Sequence, residues 1–182
     1  MHHSLRLYSR HREGILKFYM FGARCTQIPL IGRVVRWVAN TYGRNMEAAY
    51  LLTTEEAEAI VDRAEGVAVG PCTCRTVFRN CDNPLHVEIM VGPTRHIFME
   101  HLPQDCREIS QEEAKAILRD CHRRGLIHTI IKCRQDYYAI CHCCPCCCVP
   151  LRMSKQYGIG NALVRHKDIV HEFEKYQLAH QT

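Results

Sequence analysis

The chain has no apolar run approaching the roughly 20 residues that cross a bilayer. Its most apolar stretch, residues 15 to 42, is broken by Lys17, Arg24, Arg33 and Arg36, so no transmembrane segment is expected. Met1 to Arg6 lead into no uninterrupted apolar segment and no small-residue cleavage site. No secretory signal is therefore read, and a cytoplasmic location is expected. A glycine-rich phosphate loop, a flavin or nicotinamide fingerprint and an interpretable Ser/His/Asp arrangement are all missing, which removes the usual sequence arguments for a substrate pocket. A disulfide framework is a poor fit as well. Thirteen cysteines is an odd number, and six of them fall between positions 141 and 148, where neighbours rarely satisfy disulfide geometry.

What is present fits a domain of ordinary size. A chain of 182 residues can bury a core without cross-links, so metal binding would be a function rather than a structural necessity. The net charge of +5 is uneven: residues 1 to 50 carry eight Lys or Arg against Glu13 and Glu47. The organisation expected is a basic N-terminal segment (1–50) packed on the domain, a cysteine-rich core (51–152) and a C-terminal helical segment (153–182). Three readings of the basic segment are open: a face for an acidic redox partner, a membrane-surface segment, or a helix whose Arg and Lys stems cover the core. Nucleic acid is not expected, because aromatic and basic residues are not interleaved in a stacking pattern.

Start and stop signals predict a small mixed α+β domain with a few short strands and three to five helices. Thr53-Thr54-Glu55-Glu56 opens a helix with Ala57, Ile60, Val61 and Ala64 on one face, and Gly66 stops it. Val67–Val69 reads as a strand running into a Gly-Pro loop that holds Cys72 and Cys74. The order recurs: Ser110 to Glu113 opens a helix ending at Gly125, and strands at 127–133 and 137–140 lead into Cys141. Between them, 87–91 and 96–99 read as strands, and 166–178 reads as a helix. Glu55 to Ile60 matches Glu112 to Ile117 in five of six positions. Either this is a duplication that sets two Cys-x-Cys loops face to face, or good helix openings look alike.

The cysteine loops carry the chemistry. Thiolates on neighbouring residues can converge on a metal or a cluster. Cys72, Cys74 and Cys81 form the upstream half of an expected single metallocentre, and Cys141, Cys143, Cys144, Cys146, Cys147 and Cys148 form the downstream half. The Cys-x-Cys step fits neither bacterial ferredoxin nor zinc-ribbon spacing. Arg75 is a candidate for a charge beside the metal sulfur, with a surface Arg as the alternative. His128 is a candidate ligand or supporting donor and His142 a candidate supporting donor within the cysteine loop, with structural histidines as the alternative. Glu88 is read as a ligand or as part of a half-exposed strand. Cys25, Cys106, Cys121 and Cys133 are left out of the site, Cys121 as a small core residue.

The motifs Cys72-Thr73-Cys74-Arg75, Cys81-Asp82-Asn83-Pro84-Leu85, Gly125-Leu126-Ile127-His128 and Cys141-His142-Cys143-Cys144-Pro145-Cys146-Cys147-Cys148, in this order, resemble a cysteine-rich domain of 4Fe-4S binding proteins from anaerobic bacteria and archaea. The resemblance covers about residues 67 to 152. It implies an iron–sulfur cluster, [4Fe-4S] in type, and electron transfer with a ferredoxin-like or oxidoreductase partner. Two features depart from that pattern: Glu88 stands where the family has a further Cys, and the family's Cys-Asn-Cys-Cys becomes Cys141-His142-Cys143-Cys144; the usual downstream two-cluster ferredoxin run is also absent. If the chain carries electrons, the next cluster lies in the partner. Two other readings stay open: an enzyme using an open-site cluster for thiol or sulfur chemistry, and a zinc or copper(I) thiolate protein.

Overall fold

The fold was obtained as a computed structural model, which describes residues 3–45 and 47–180. Met1 and His2, where the reading of no secretory signal begins, lie outside the described residues. The elements in chain order are α1 (His3–Cys25), α2 (Gly32–Asn45), β1 (Glu47–Leu51), α3 (Thr54–Arg63), β2 (Val67–Pro71), α4 (Thr73–Phe78), β3 (His86–Val91), α5 (Arg95–His101), β4 (Arg107–Ile109), α6 (Gln111–Arg123), β5 (Ile127–Cys133), β6 (Asp136–Cys143), α7 (Val149–Tyr157), β7 (Leu163–Arg165) and α8 (Ile169–Ala179). The mixed α+β class holds. The described residues form eight α-helices, more than the three to five expected, because α4 and α5 are short and arise where loop and strand were read.

The predicted helix openings act as expected. The Thr53 side chain accepts from the Glu56 N–H at 3.2 Å, and the Glu56 carboxylate accepts from the Thr53 N–H at 2.8 Å, which satisfies two orphan donors of α3. Ser110 caps α6 by accepting from the Glu113 N–H at 3.1 Å. The reciprocal bond is not the one Glu113 makes, because its carboxylate pairs with Arg107 instead.

Seven strands form one sheet in the order β4-β2-β3-β6-β5-β1-β7. Neighbours are antiparallel except β1 and β7. On one face, Val67, Ile89, Val91, Ile130 and Ile140 meet Ala57, Ile60 and Val61 of α3, Ala114 and Leu118 of α6, and Phe173 of α8. On the other, Ala68, Met90, Ile131 and Tyr138 meet Leu5 of α1 and Ile97 and Phe98 of α5. Alternation along each strand divides the residues between these two cores. No helix among the described residues is long and apolar enough to cross a membrane.

Three local expectations are corrected. Residues 96–99 are helical: Gly92-Pro93-Thr94 makes a 3-10 turn that runs straight into α5 and buries Ile97 and Phe98. Residues 73–78 form α4 rather than a loop, with Cys72 at its N-cap. β3 is not half-exposed; it is buried from Val87 onward because helices cover both faces.

Candidate metal centre

Strand direction assembles the site. β2 and β6 are both antiparallel to β3, which lies between them, so they end at the same edge of the sheet. At that edge β2 delivers Cys72 and, through α4, Cys74 and Arg75. β6 delivers Cys141 and Cys143, and the turn beyond it carries Cys144, Cys146, Cys147 and Cys148 before α7 begins. The loop between α4 and β3 returns Cys81. The two Cys-x-Cys segments are therefore not in equivalent places: one follows a strand and the other lies within one.

Within this region the thiols divide into two adjoining groups. The Sγ atoms of Cys81, Cys144, Cys146 and Cys147 all lie within 4.8 Å of one another. Cys81 Sγ is 3.7 Å from Cys144 Sγ and 3.8 Å from Cys147 Sγ. Four thiolates about a tetrahedral ion, each at ~2.3 Å, stand ~3.8 Å apart, close to the two Cys81 separations, so this group could hold a metal ion. A cubane sets its thiolates farther apart, because four irons and four sulfides lie between them. Cys144 and Cys147 are buried, while Cys81 and Cys146 are partly open.

Hydrogen bonds hold this group in place. The Asn80 N–H donates to Cys147 Sγ at 3.3 Å, the Asn83 amide donates to Cys81 Sγ at 3.4 Å, and the Asn80 amide donates to the Cys146 carbonyl at 2.9 Å. These two asparagines were missed in the sequence. The signal was their position beside Cys81 in a turn, where Asn side chains bond locally. Partial burial works against ionisation of Cys81, yet donors from Asn83 and the neighbouring thiols hold it down to about 6. Burial raises Cys146 to about 11 and raises Cys147 too. Loading a metal must therefore release protons.

The second group is Cys72, Cys74, Cys141, Cys143 and Cys148, and it is continuous with the first, since Cys72 and Cys74 pack in the same cluster as Cys144 and Cys147. Cys148 hydrogen-bonds to both Cys143 and Cys74. The Val149 N–H donates to Cys74 Sγ at 3.5 Å, and Thr129 Oγ1 lies 3.4 Å from Cys143 Sγ. The bond with Cys148 lowers the Cys143 thiol, whereas burial raises Cys72 and Cys141. Glu88 belongs beside this group. It is buried, accepts from the Thr73 N–H at 3.2 Å, and burial raises its carboxyl against the opposing pull of Arg12.

Arg75 is not a surface residue. Its side chain is only 1 % exposed, donates to the Pro84 carbonyl at 2.5 Å and to the His142 carbonyl, and hydrogen-bonds Cys144. Burial opposes its charge, but Cys72 and Cys144 more than compensate. It sits where both groups feel it.

The histidines go elsewhere. His142 alternates with Cys141 and Cys143 along β6, so its ring lies on the other face, where its Nδ1 is 2.8 Å from His128 Nδ1. One ring must donate and the other accept. Burial lowers His128 to about 4 and holds His142 well below the usual imidazole range, so both are neutral near pH 7. Cys121 is fully buried in the apolar cluster beneath the first thiol group, as a core residue. Cys25 ends α1, Cys106 precedes β4 and Cys133 ends β5; Cys106 and Cys133 pack in the apolar cluster that Cys141 also touches.

Comparison of the chain with protein-family models, with curated proteins and with solved structures finds no match.

Proposed function

We propose that the protein is an iron–sulfur protein that passes single electrons to and from a redox partner. The observation that carries this reading is the gathering of nine thiols, from segments about seventy residues apart, at one sheet edge. One tetrahedral ion uses four thiolates, so the inventory exceeds what a single ion needs, whereas clusters are built on thiolate-rich loops. The motif resemblance supports [4Fe-4S] as the cluster type, and the cytoplasmic, anaerobic setting belongs to the same reading. A bound cluster supplies a reversible one-electron couple.

The chain's own residues then set the potential and the access. N–H donors from Asn80 and Asn83 to sulfur, and the positive charge of Arg75, favour the added negative charge of the reduced form and raise the potential. Cys81 and Cys146 are partly open, and Arg79, Asn80, Asp82 and Leu85 around them face solvent. A ferredoxin-like or oxidoreductase partner docks at that loop.

A second reading rests on the 3.7 and 3.8 Å separations: Cys81, Cys144, Cys146 and Cys147 hold one tetrahedral ion, zinc or another thiophilic ion such as copper(I). Metal and sulfide content of protein purified without oxygen separates the two. Iron with sulfide supports the first, and zinc or copper without sulfide supports the second.

A further inference from the structure

Ten of the twelve large apolar side chains exposed among the described residues lie between Leu7 and Tyr42, on α1, α2 and the turn joining them. Trp37 and Phe18 are each 69 % exposed and Leu30 is 96 % exposed. Lys17, Arg24, Arg33, Arg36 and Arg44 are interspersed with them, and Glu13 is the one acidic residue of the two helices. Apolar and aromatic groups set among cations, on helices that cannot span a bilayer, are the composition of an element that lies in an anionic membrane surface. An acidic protein partner would match the charge but not so many exposed apolar side chains.

The same helices frame a cavity of about 660 Å³, within the roughly 300–1,000 Å³ of small-molecule sites. Its outer rim includes the exposed Phe18, Val34 and Val38. Its walls are largely apolar, and its floor carries Arg75, Glu88 and thiols of both groups, Cys144 and Cys147 of the first among them. The opening thus coincides with the apolar and basic surface. From this coincidence we propose that α1 and α2 seat the protein on an anionic bilayer and that the cavity takes up a lipid-soluble molecule from it, an apolar chain or ring that ends against the thiol-lined wall. The docking does not depend on which metal the protein holds, whereas the uptake shares its thiol wall with the proposed metal site, so probe binding is measured on the metal-loaded protein.

Trp37 is the chain's single tryptophan, so its emission reports the docking surface alone. With vesicles of phosphatidylcholine and phosphatidylglycerol in equal parts, the full chain should co-sediment and its emission should shift to the blue. Pure phosphatidylcholine or added salt should weaken binding by about tenfold or more. For the cavity, the probe is a dansyl-labelled undecanoic acid. A Cβ added at Gly22, which lines the cavity, meets nothing within 4 Å. Gly22→Phe should therefore fill the space and weaken probe binding about tenfold with vesicle binding kept, while Gly14→Phe on the exposed side of α1 should change neither. Unshifted Trp37 emission with the anionic vesicles overturns the docking, as does a lipid-free dimer that buries Trp37. Probe affinity unchanged in Gly22→Phe overturns the uptake.

Discussion

Cys81 and Cys144, 63 positions apart in the chain, bring their sulfurs to 3.7 Å. The pair joins the loop before β3 to the turn after β6 and defines the compact thiol group that Cys146 and Cys147 complete. Four thiols so close, with no disulfide among them, could hold a shared metal ion.

Removing a member of that group should remove metal. Cys81→Ser and Cys144→Ser are each expected to lower metal per chain at least several-fold after identical purification. Cys121→Ala, in the core beneath, should keep the wild-type content. Elemental analysis of the three proteins checks this, and full metal in Cys144→Ser would exclude that residue as a ligand.

Arg75 should be needed for the fold as well as the site. Arg75→Met leaves the Pro84 and His142 carbonyls without their buried donor, at a cost of about 3 kcal/mol or more. Arg75→Lys should recover only part of this, because an ammonium cannot reproduce the fork that reaches both carbonyls. Chemical denaturation of the metal-loaded proteins gives the comparison.

The His128–His142 pair gives a pH dependence whose sign follows from the lowered folded-state values. The unfolded chain protonates His128 near 6.5, whereas the folded chain does so at about 4. As pH falls through 6.5 the unfolded state gains a proton that the folded state refuses. Stability therefore declines between these two values and levels off below them, by on the order of 3 kcal/mol for this ring. Its imidazole resonances should show no titration above pH 5, and a midpoint near 6.5 would contradict the buried neutral pair.

The two helix caps should be worth about the same. Thr53→Ala removes the Oγ1 that accepts from the Glu56 N–H but keeps the backbone N–H that donates to the Glu56 carboxylate, and Ser110→Ala removes the acceptor of the Glu113 N–H, so each should cost about 1 kcal/mol. Thermal or denaturant midpoints check this, and a loss in Thr53→Ala of twice that in Ser110→Ala would contradict it.

What the sequence made legible was local. Thr53 and Ser110 mark helix starts because capping uses neighbours three residues away, and β5 was read over the residues it occupies because its apolar run is bounded by Gly125 and a turn. The set of nine cysteines was legible for the same reason, since density of thiols needs no fold to be seen. Their partition was not legible: Cys144 and Cys147 join Cys81, while Cys143 and Cys148 join Cys74, because the end of β6 and the turn after it send adjacent residues to opposite sides. α5 was misread because Ile97 and Phe98 suit a strand as well as a helix, and only the turn at Gly92 to Thr94 commits the segment. The burial of Arg75 and Glu88 depends on coverage of β3 from both faces, which no pattern within β3 encodes.

The central claim is that the thiol-lined edge holds iron and sulfide. The most direct test is iron, zinc and acid-labile sulfide analysis, with the visible spectrum, of the full chain purified without oxygen. The account predicts a brown protein with about four irons and four sulfides per chain for one cubane, or about twice that for two. A colourless protein holding zinc and no sulfide would contradict it.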